Sequence, residues 1–135
     1  MPFTYDRRVQ FAETDLAGLV HFSWMFRYME EAEHALWRAA GLSIADRAND
    51  LAWPRGAAAF DFRHPLRFEE EFEVRIRIAE ARTRTLEYEC AIHRGDRVIA
   101  TGRMTAICAR RQPDGTMKAA EIPDEILTRL KMVGR

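Results

Sequence analysis

The sequence places two carboxylates, a glycine and a histidine close together in the stretch FAETDLAGLVHFSW, residues 11–24. Asp15 can attack a carbonyl carbon or take a proton from water. Gly18 follows three residues later and can adopt the left-handed backbone that turns a chain back. The stretch therefore predicts a turn that carries a carboxylate, which either serves in catalysis or caps the turn, as aspartate very commonly does.

A helix is predicted directly after this turn. Ser23 can cap a helix that runs to Ala40 and ends before Gly41. Its apolar residues recur in steps of three and four, at Met25, Met29, Ala32, Leu36 and Ala39. The first amides of a helix have no acceptor within it and lie at the positive end of its dipole, where a developing oxyanion is stabilised. A carboxylate on the turn and an oxyanion site at the helix start can therefore converge.

The rest of the chain predicts strands that enclose this helix. Eleven of the seventeen residues from Trp24 to Ala40 are apolar, which is more than a helix on a flat sheet requires. Alternating patterns predict strands at Tyr5 to Phe11, Arg55 to Arg63, Glu71 to Ala79, Thr85 to His93 and Val98 to Ala109. Turns are predicted at residues 94–96 and 113–115, and a last helix near Pro123. The sequence thus indicates one α+β domain, residues 1–135, with about five antiparallel strands wrapped around one long central helix.

Composition argues against several classes of function. The 135 residues carry 21 basic and 21 acidic side chains, and this zero net charge disfavours nucleic-acid binding. The sequence has no apolar run of about 18 residues and no secretory signal pattern, so we expect a cytoplasmic protein without a membrane partner. Cys90 and Cys108 fall in strand patterns, which predicts buried reduced thiols and neither a disulfide nor a metal site.

Two further expectations concern charges on the helix and assembly. Glu31 and His34 have the Glu-x-x-His spacing of di-iron bundles, but only one copy is present, so solvated helix charges are expected and no metal. Open sheet edges and a widely apolar helix favour pairing with a second copy, and dimers are the commonest homo-oligomers. We therefore predict a homo-oligomer that is a dimer or a dimer of dimers, the latter a homotetramer.

The order of these features resembles the hotdog-fold acyl-CoA thioesterases of the 4-hydroxybenzoyl-CoA thioesterase type. The resemblance is carried by a strand, by ETDLAGLV at residues 13–20, by the aromatic-rich helix with Glu30, and by PLRF at residues 65–68. It implies a hotdog fold and hydrolysis of an acyl-CoA thioester, with CoA as leaving group and no cofactor beyond that substrate. It also implies that Asp15 is the nucleophile or general base and that the Phe22 backbone amide polarises the carbonyl.

Two positions depart from the family pattern. Many relatives carry histidine at position 22 and asparagine or serine at position 24, whereas this chain has Phe22 and Trp24, with histidine one place earlier as His21. A mechanism that needs an imidazole at position 22 is excluded, and His21 is either functional or a half-exposed structural residue. Trp24 indicates a changed or narrower acyl pocket.

The predicted substrate contacts are Gly18, His21, Trp24, Glu30, Arg82 and Arg84. The two arginines lie between two strands and could meet CoA phosphates at a subunit edge, with ordinary solvation of a turn as the equal alternative. Two other functions stay open. The aromatic residues at positions 22 and 24 suit a non-catalytic acyl-CoA or acyl-carrier binding protein, and a hydratase or dehydratase would require the helix histidine His34.

Overall fold

A computed structural model describes residues 2–134 as eight strands and two helices, with one short 3₁₀ turn. The elements are β1 (Phe3–Arg8), α1 (Ser23–Ala39), β2 (Leu51–Ala52), β3 (Arg55–Phe62), β4 (Glu71–Ala81), β5 (Thr85–Arg94), β6 (Arg97–Ile107), β7 (Ala109–Arg111), β8 (Met117–Ala119) and α2 (Asp124–Val133). Five antiparallel strands form the main sheet in the order β1-β4-β5-β6-β3. The predicted α+β arrangement of one long helix and a five-stranded antiparallel sheet is confirmed.

The core lies between α1 and one face of this sheet. Strand β4 buries every second residue, Phe72, Val74, Ile76 and Ile78, while the residues between them are more exposed, as its alternation predicts. Helix α1 buries Met25, Tyr28, Met29, Ala32, Glu33, Leu36 and Trp37 against it. Burying one large apolar side chain is worth about 1.5–3 kcal/mol, so this shared core is the main stabilising feature of the fold.

Glu31 and Glu33 of α1 are held in ion pairs, which corrects the prediction of solvated charges in this part of the helix. Glu33 is completely buried, and its carboxylate is bound by both terminal nitrogens of Arg55 at 2.8 and 2.5 Å. Glu31 accepts a 2.8 Å hydrogen bond from Arg7 Nε. Arg55 and Arg7 come from β3 and β1, far from the helix in sequence, so helical spacing gave no sign of these ion pairs.

The boundaries of the first strand also differ from the prediction. β1 ends at Arg8, and Phe11–Glu13 forms the 3₁₀ turn, because Gln10 and Glu13 make reciprocal capping hydrogen bonds that bend the chain. A second sheet, β2-β7-β8, was not predicted, since strands of two or three residues show no usable alternation. The predicted turn at residues 113–115 joins its strands β7 and β8.

Helix α2 closes the C-terminal end of α1. The amides of Ala40, Gly41 and Leu42 donate to carbonyls of the last helical turn, and Gly41 has the positive φ of 75° expected after a helix. At the end of α2, a side chain on Gly134 would collide with Leu36. This end of α1 is therefore tightly packed and internally hydrogen-bonded.

Two further features are the burial of the cysteines and the length of the helices. Cys90 and Cys108 are buried free thiols, as predicted. Within residues 2–134, no helix combines the length and apolar character needed to cross a membrane.

Candidate functional site

A short antiparallel ladder carries the predicted catalytic loop. The His21 amide donates to the Glu13 carbonyl at 2.9 Å, Thr14 pairs with Val20, and the Asp15 amide donates to the Leu19 carbonyl at 2.8 Å. At its tip, Gly18 has a φ of 76°, the left-handed turn predicted from sequence. The ladder places Asp15 two residues, about 7 Å of extended chain, from the pair that adjoins the helix start. The carboxylate and the first turn of α1 are therefore held in a fixed relation.

The two oxygens of the Asp15 carboxylate differ in their hydrogen bonds. Oδ1 accepts hydrogen bonds from the amides of Ala17 at 2.8 Å and Leu19 at 3.2 Å, so it caps the turn. No group within residues 2–134 donates a hydrogen bond to Oδ2, and the residue is exposed. One oxygen is thus restrained by the loop, which leaves the other available for a ligand or for water.

Phe22 precedes the first residue of α1 and has a helical backbone, with φ −55° and ψ −31°. Its amide has no hydrogen-bond acceptor within residues 2–134. The neighbouring amides differ, because Ser23 donates to His21 Nδ1 and Trp24 donates to the His21 carbonyl. The Phe22 N–H is therefore the donor that the helix start leaves open, at the positive end of the helix dipole.

His21 precedes Phe22, the N-cap residue of α1, and its ring accepts a hydrogen bond from the first amide of the helix. Its Nδ1 lies 2.8 Å from Ser23 Oγ and accepts the Ser23 amide, while its ring stacks on Phe22 with centroids 4.7 Å apart. The prediction that Ser23 caps α1 is wrong, since Ser23 is the first helical residue and caps nothing. The histidine therefore has a structural contact of its own, and any contact with substrate stays a prediction.

A buried carboxylate supports the loop from behind, and sequence reasoning assigned it no role. Glu13 is only 2% exposed, and it accepts hydrogen bonds from Arg7 (3.2 and 2.5 Å), from the Tyr28 hydroxyl (2.7 Å) and from the Gln10 amide (2.9 Å). Burial would raise the pKa of Glu13, but these donors outweigh burial and lower it. Burial and the bond to Glu13 raise the pKa of Tyr28, so its hydroxyl stays protonated as a donor. The spacing Gln10-x-x-Glu13 was the available sign of this arrangement.

An exposed aromatic surface adjoins the Phe22 amide. The side chains of Phe22 and Phe62 are 61% and 51% exposed and lie edge to face with centroids 6.4 Å apart. Phe60 stacks on Phe62 at 6.1 Å and meets Phe26 of α1 at 5.1 Å. We call these four residues the phenylalanine row. Trp24 is half-buried on the helix beside Tyr28, at 6.0 Å, so its place in an acyl pocket stays a prediction.

Three predicted contact residues lie away from this loop. The carboxylate of Glu30 is 3.6 Å from Arg55, and it makes no hydrogen bond to the loop within residues 2–134. Arg82 pairs with Glu80 at 3.1 Å in the exposed β4–β5 hairpin, and Arg84 is exposed in the same hairpin. Strand β4 starts near the loop and ends at this hairpin, roughly 30 Å away at the usual rise per residue. The two arginines therefore do not approach Asp15 of their own chain.

The loop carboxylate and the open helix amide are joined by one ladder, and comparisons with known proteins give the class. The chain belongs to the thioesterase-like superfamily, whose sequence profile matches residues 9–130. A relative from Aquifex aeolicus (strain VF5), whose name assigns it provisionally to the esterases, is 34% identical over 97% of this chain and 99% of its own. The architecture is thus the predicted hotdog fold.

Two solved structures agree with this class. The crystal structure of a hypothetical protein from Aquifex aeolicus has a TM-score of 0.89 at 32% identity and covers 96% of this chain and 100% of its own. A 1,4-dihydroxy-2-naphthoyl-CoA thioesterase from Synechocystis has a TM-score of 0.86 at 25% identity, with 96% of each chain covered. Both are similar in shape over almost the whole chain, which agrees with membership of the thioesterase-like superfamily.

Proposed function

We propose that the protein hydrolyses an acyl-CoA thioester, with Asp15 as nucleophile or general base and the Phe22 amide as oxyanion donor. The observation that carries the proposal is one short ladder that bears a carboxylate with an unbonded oxygen on one arm and leads, on the other arm, into an amide without an acceptor. Membership of the thioesterase-like superfamily supports the reaction class. The 4-hydroxybenzoyl-CoA type is the member of that class that the sequence resembles.

The chemistry follows from the two groups. Oδ2 of Asp15 either attacks the thioester carbonyl carbon itself or takes a proton from a water molecule that attacks it. The carbonyl oxygen becomes negatively charged and accepts a hydrogen bond from the Phe22 N–H. Because this donor is already fixed in direction, it stabilises the charge without reorganisation of the protein. The carbon–sulfur bond then breaks, and CoA leaves as its thiolate. In the first route water hydrolyses the resulting anhydride; in the second the acid forms directly.

The acyl group that this site suits best is aromatic. The methionines and the tryptophan of α1 that could line a pocket, Met25, Met29 and Trp37, are buried in the core, whereas two members of the phenylalanine row, Phe22 and Phe62, are exposed next to the proposed oxyanion donor. Aromatic rings gain about 0.5–1.5 kcal/mol from edge-to-face and offset contacts beyond simple burial. The Synechocystis relative, named for a naphthoyl-CoA substrate, supports this choice.

The assembly we propose is a dimer through β3, or a dimer of such dimers. β3 is an edge strand of the main sheet, and its residues 56–59 are Gly-Ala-Ala-Ala, exposed and without the charges that usually protect an edge. Pairing of two such edges would also bring another copy near the phenylalanine row. Whether Arg82 and Arg84 meet CoA phosphates depends on this assembly. Sedimentation at micromolar concentration should give at least a dimer, and a monomer would contradict the proposal.

Hydrolysis of a panel of benzoyl-, naphthoyl-, octanoyl- and palmitoyl-CoA tests the function directly. Released CoA can be followed with a thiol reagent, because both cysteines are buried, and a blank without substrate measures any protein thiol that reacts. We expect turnover, with aromatic esters preferred. Phe62→Ala should raise KM for the aromatic esters by up to about tenfold, the range of one aromatic contact. Met132→Ala, at an exposed apolar residue of α2, is the control.

The same panel separates the alternatives. Tight binding of CoA esters without turnover would favour the acyl-CoA or acyl-carrier binding protein, which the phenylalanine row could also serve. A hydratase or dehydratase has less support, because His34 lies about 18 Å along α1 from Phe22 and 3.7 Å from the buried Glu33 carboxylate.

A further inference from the structure

We propose that Glu13 is a positioning residue that fixes Asp15 and the Phe22 amide relative to each other; this inference rests on the function proposed above. Its side chain is tied to β1 and α1, while its backbone carbonyl is tied to His21. One residue thus links the loop that carries the carboxylate to the residue that precedes the oxyanion donor.

The Glu13 carboxylate has a donor from each surrounding element. Arg7 comes from β1, Tyr28 from the second turn of α1 and the Gln10 amide from the loop itself. A buried carboxylate is costly unless charge and hydrogen bonds compensate it, so this geometry is closely determined. Because Tyr28 and Phe22 belong to the same end of α1, the bond at 2.7 Å connects the helix start to the loop directly.

The backbone of Glu13 completes the link. Its carbonyl accepts the His21 amide, and Phe22 is the next residue along the chain. In the other direction, Asp15 follows two residues later on the same arm of the ladder. A displacement of Glu13 would therefore change both ends of the reacting geometry at once. A shift of about 1 Å in such a geometry can lower a rate by 10²-fold.

The same network contains a matched control. Glu31 accepts a 2.8 Å hydrogen bond from Arg7 Nε and a 3.0 Å bond from the Tyr5 hydroxyl, so it shares Arg7 with Glu13. No hydrogen bond or ion pair joins the Glu31 side chain to the ladder within residues 2–134. Glu31→Gln therefore weakens one partner of Arg7, while the Glu13 bonds to Tyr28 and to the Gln10 amide stay in place.

The test compares Glu13→Gln, Glu31→Gln and Asp15→Asn on the panel ester that turns over fastest. We expect Glu13→Gln to lower kcat about 10- to 10²-fold with KM within about twofold, because binding surfaces stay in place while the reacting groups shift. Glu31→Gln should keep kcat near the wild-type value. Hydrogen exchange over residues 13–22 should accelerate in Glu13→Gln and not in Glu31→Gln.

Tyr28→Phe keeps the ion pair between Arg7 and Glu13 and serves if Glu13→Gln does not fold. It removes the direct link to α1, so it should also lower kcat more than KM.

Each contrary result has a distinct meaning. Equal kcat losses in Glu13→Gln and Glu31→Gln, or a folded Glu13→Gln protein with wild-type kcat, would overturn the positioning role while Asp15→Asn still shows the loss expected of the site. Where Glu13→Gln does not fold, Tyr28→Phe with wild-type kcat would overturn it. If Asp15→Asn hydrolyses the ester as fast as wild type, or if the wild type hydrolyses no ester, the proposed function fails and this inference fails with it.

Discussion

The two ends of α1 differ in whether their backbone amides have hydrogen-bond acceptors and in how far their apolar side chains are buried. At the C-terminal end, the amides of residues 40–42 have acceptors and α2 packs against Leu36. At the N-terminal end, the Phe22 amide has no acceptor within residues 2–134, and Phe22 and Phe62 are largely exposed. Natural proteins leave polar groups without partners, or apolar side chains exposed, mainly at functional sites. The contrast agrees with the proposed function, in which one end of the helix is packed for stability and the other carries the proposed chemistry.

The largest effect is expected from truncating a buried side chain near the C-terminal end of α1. Leu36→Ala removes a fully buried side chain against Gly134 and should lower the free energy of unfolding by about 2–5 kcal/mol. Denaturant unfolding measures this loss, and kcat at a temperature where the variant is folded should stay unchanged. A folded Leu36→Ala protein that has lost its activity would show that the two ends are not independent.

At the N-terminal end of α1, proline at position 22 would remove the proposed oxyanion donor and change little else in the backbone. The φ of −55° suits a proline ring, and the N–H that proline lacks makes no hydrogen bond within residues 2–134. Phe22→Pro should therefore fold but have a kcat about 10²–10³-fold below that of Phe22→Ala, the usual effect of losing one such donor. Both variants lack the phenyl ring, so the comparison isolates the N–H. Equal kcat values would remove the Phe22 amide from the mechanism.

Near the N-terminal end of α1, Glu13 should make the free energy of unfolding fall at acid pH. Its pKa is lowered from an ordinary value of 4.5, so its ionised form contributes stability above that pH, and the contribution is lost as the pH falls through the lowered value. The difference in unfolding free energy between wild type and Glu13→Gln should therefore shrink as the pH drops below about 4.5. Urea unfolding at pH 7, 4.5 and 3 measures it, and a difference independent of pH would contradict the ion pair with Arg7.

The same contrast shows what could be predicted from the sequence. The alternation of β4 and the apolar steps of α1 were sufficient for the core, because those patterns report directly on which side is buried. Gly18 correctly predicted the turn. By contrast, Glu13 and Glu33 are compensated by Arg7 and Arg55, which spacing within the helix or loop does not reveal. Ser23 was wrongly assigned the cap, since Phe22 is the N-cap residue and the Ser23 amide donates to the ring of His21, a contact that propensity does not describe.

The most direct test of the central claim is kcat of wild type and Asp15→Asn on the best aromatic acyl-CoA, with unfolding measured on the same samples. Asparagine keeps an Oδ1 that can accept the Ala17 and Leu19 amides, so the turn should remain intact, while the nucleophile and base are lost. We predict a fall in kcat of about 10² or more with nearly unchanged stability, the scale expected of a positioned acid–base group. Equal turnover by the two proteins would mean that Asp15 only caps its turn, and the catalytic assignment would be wrong.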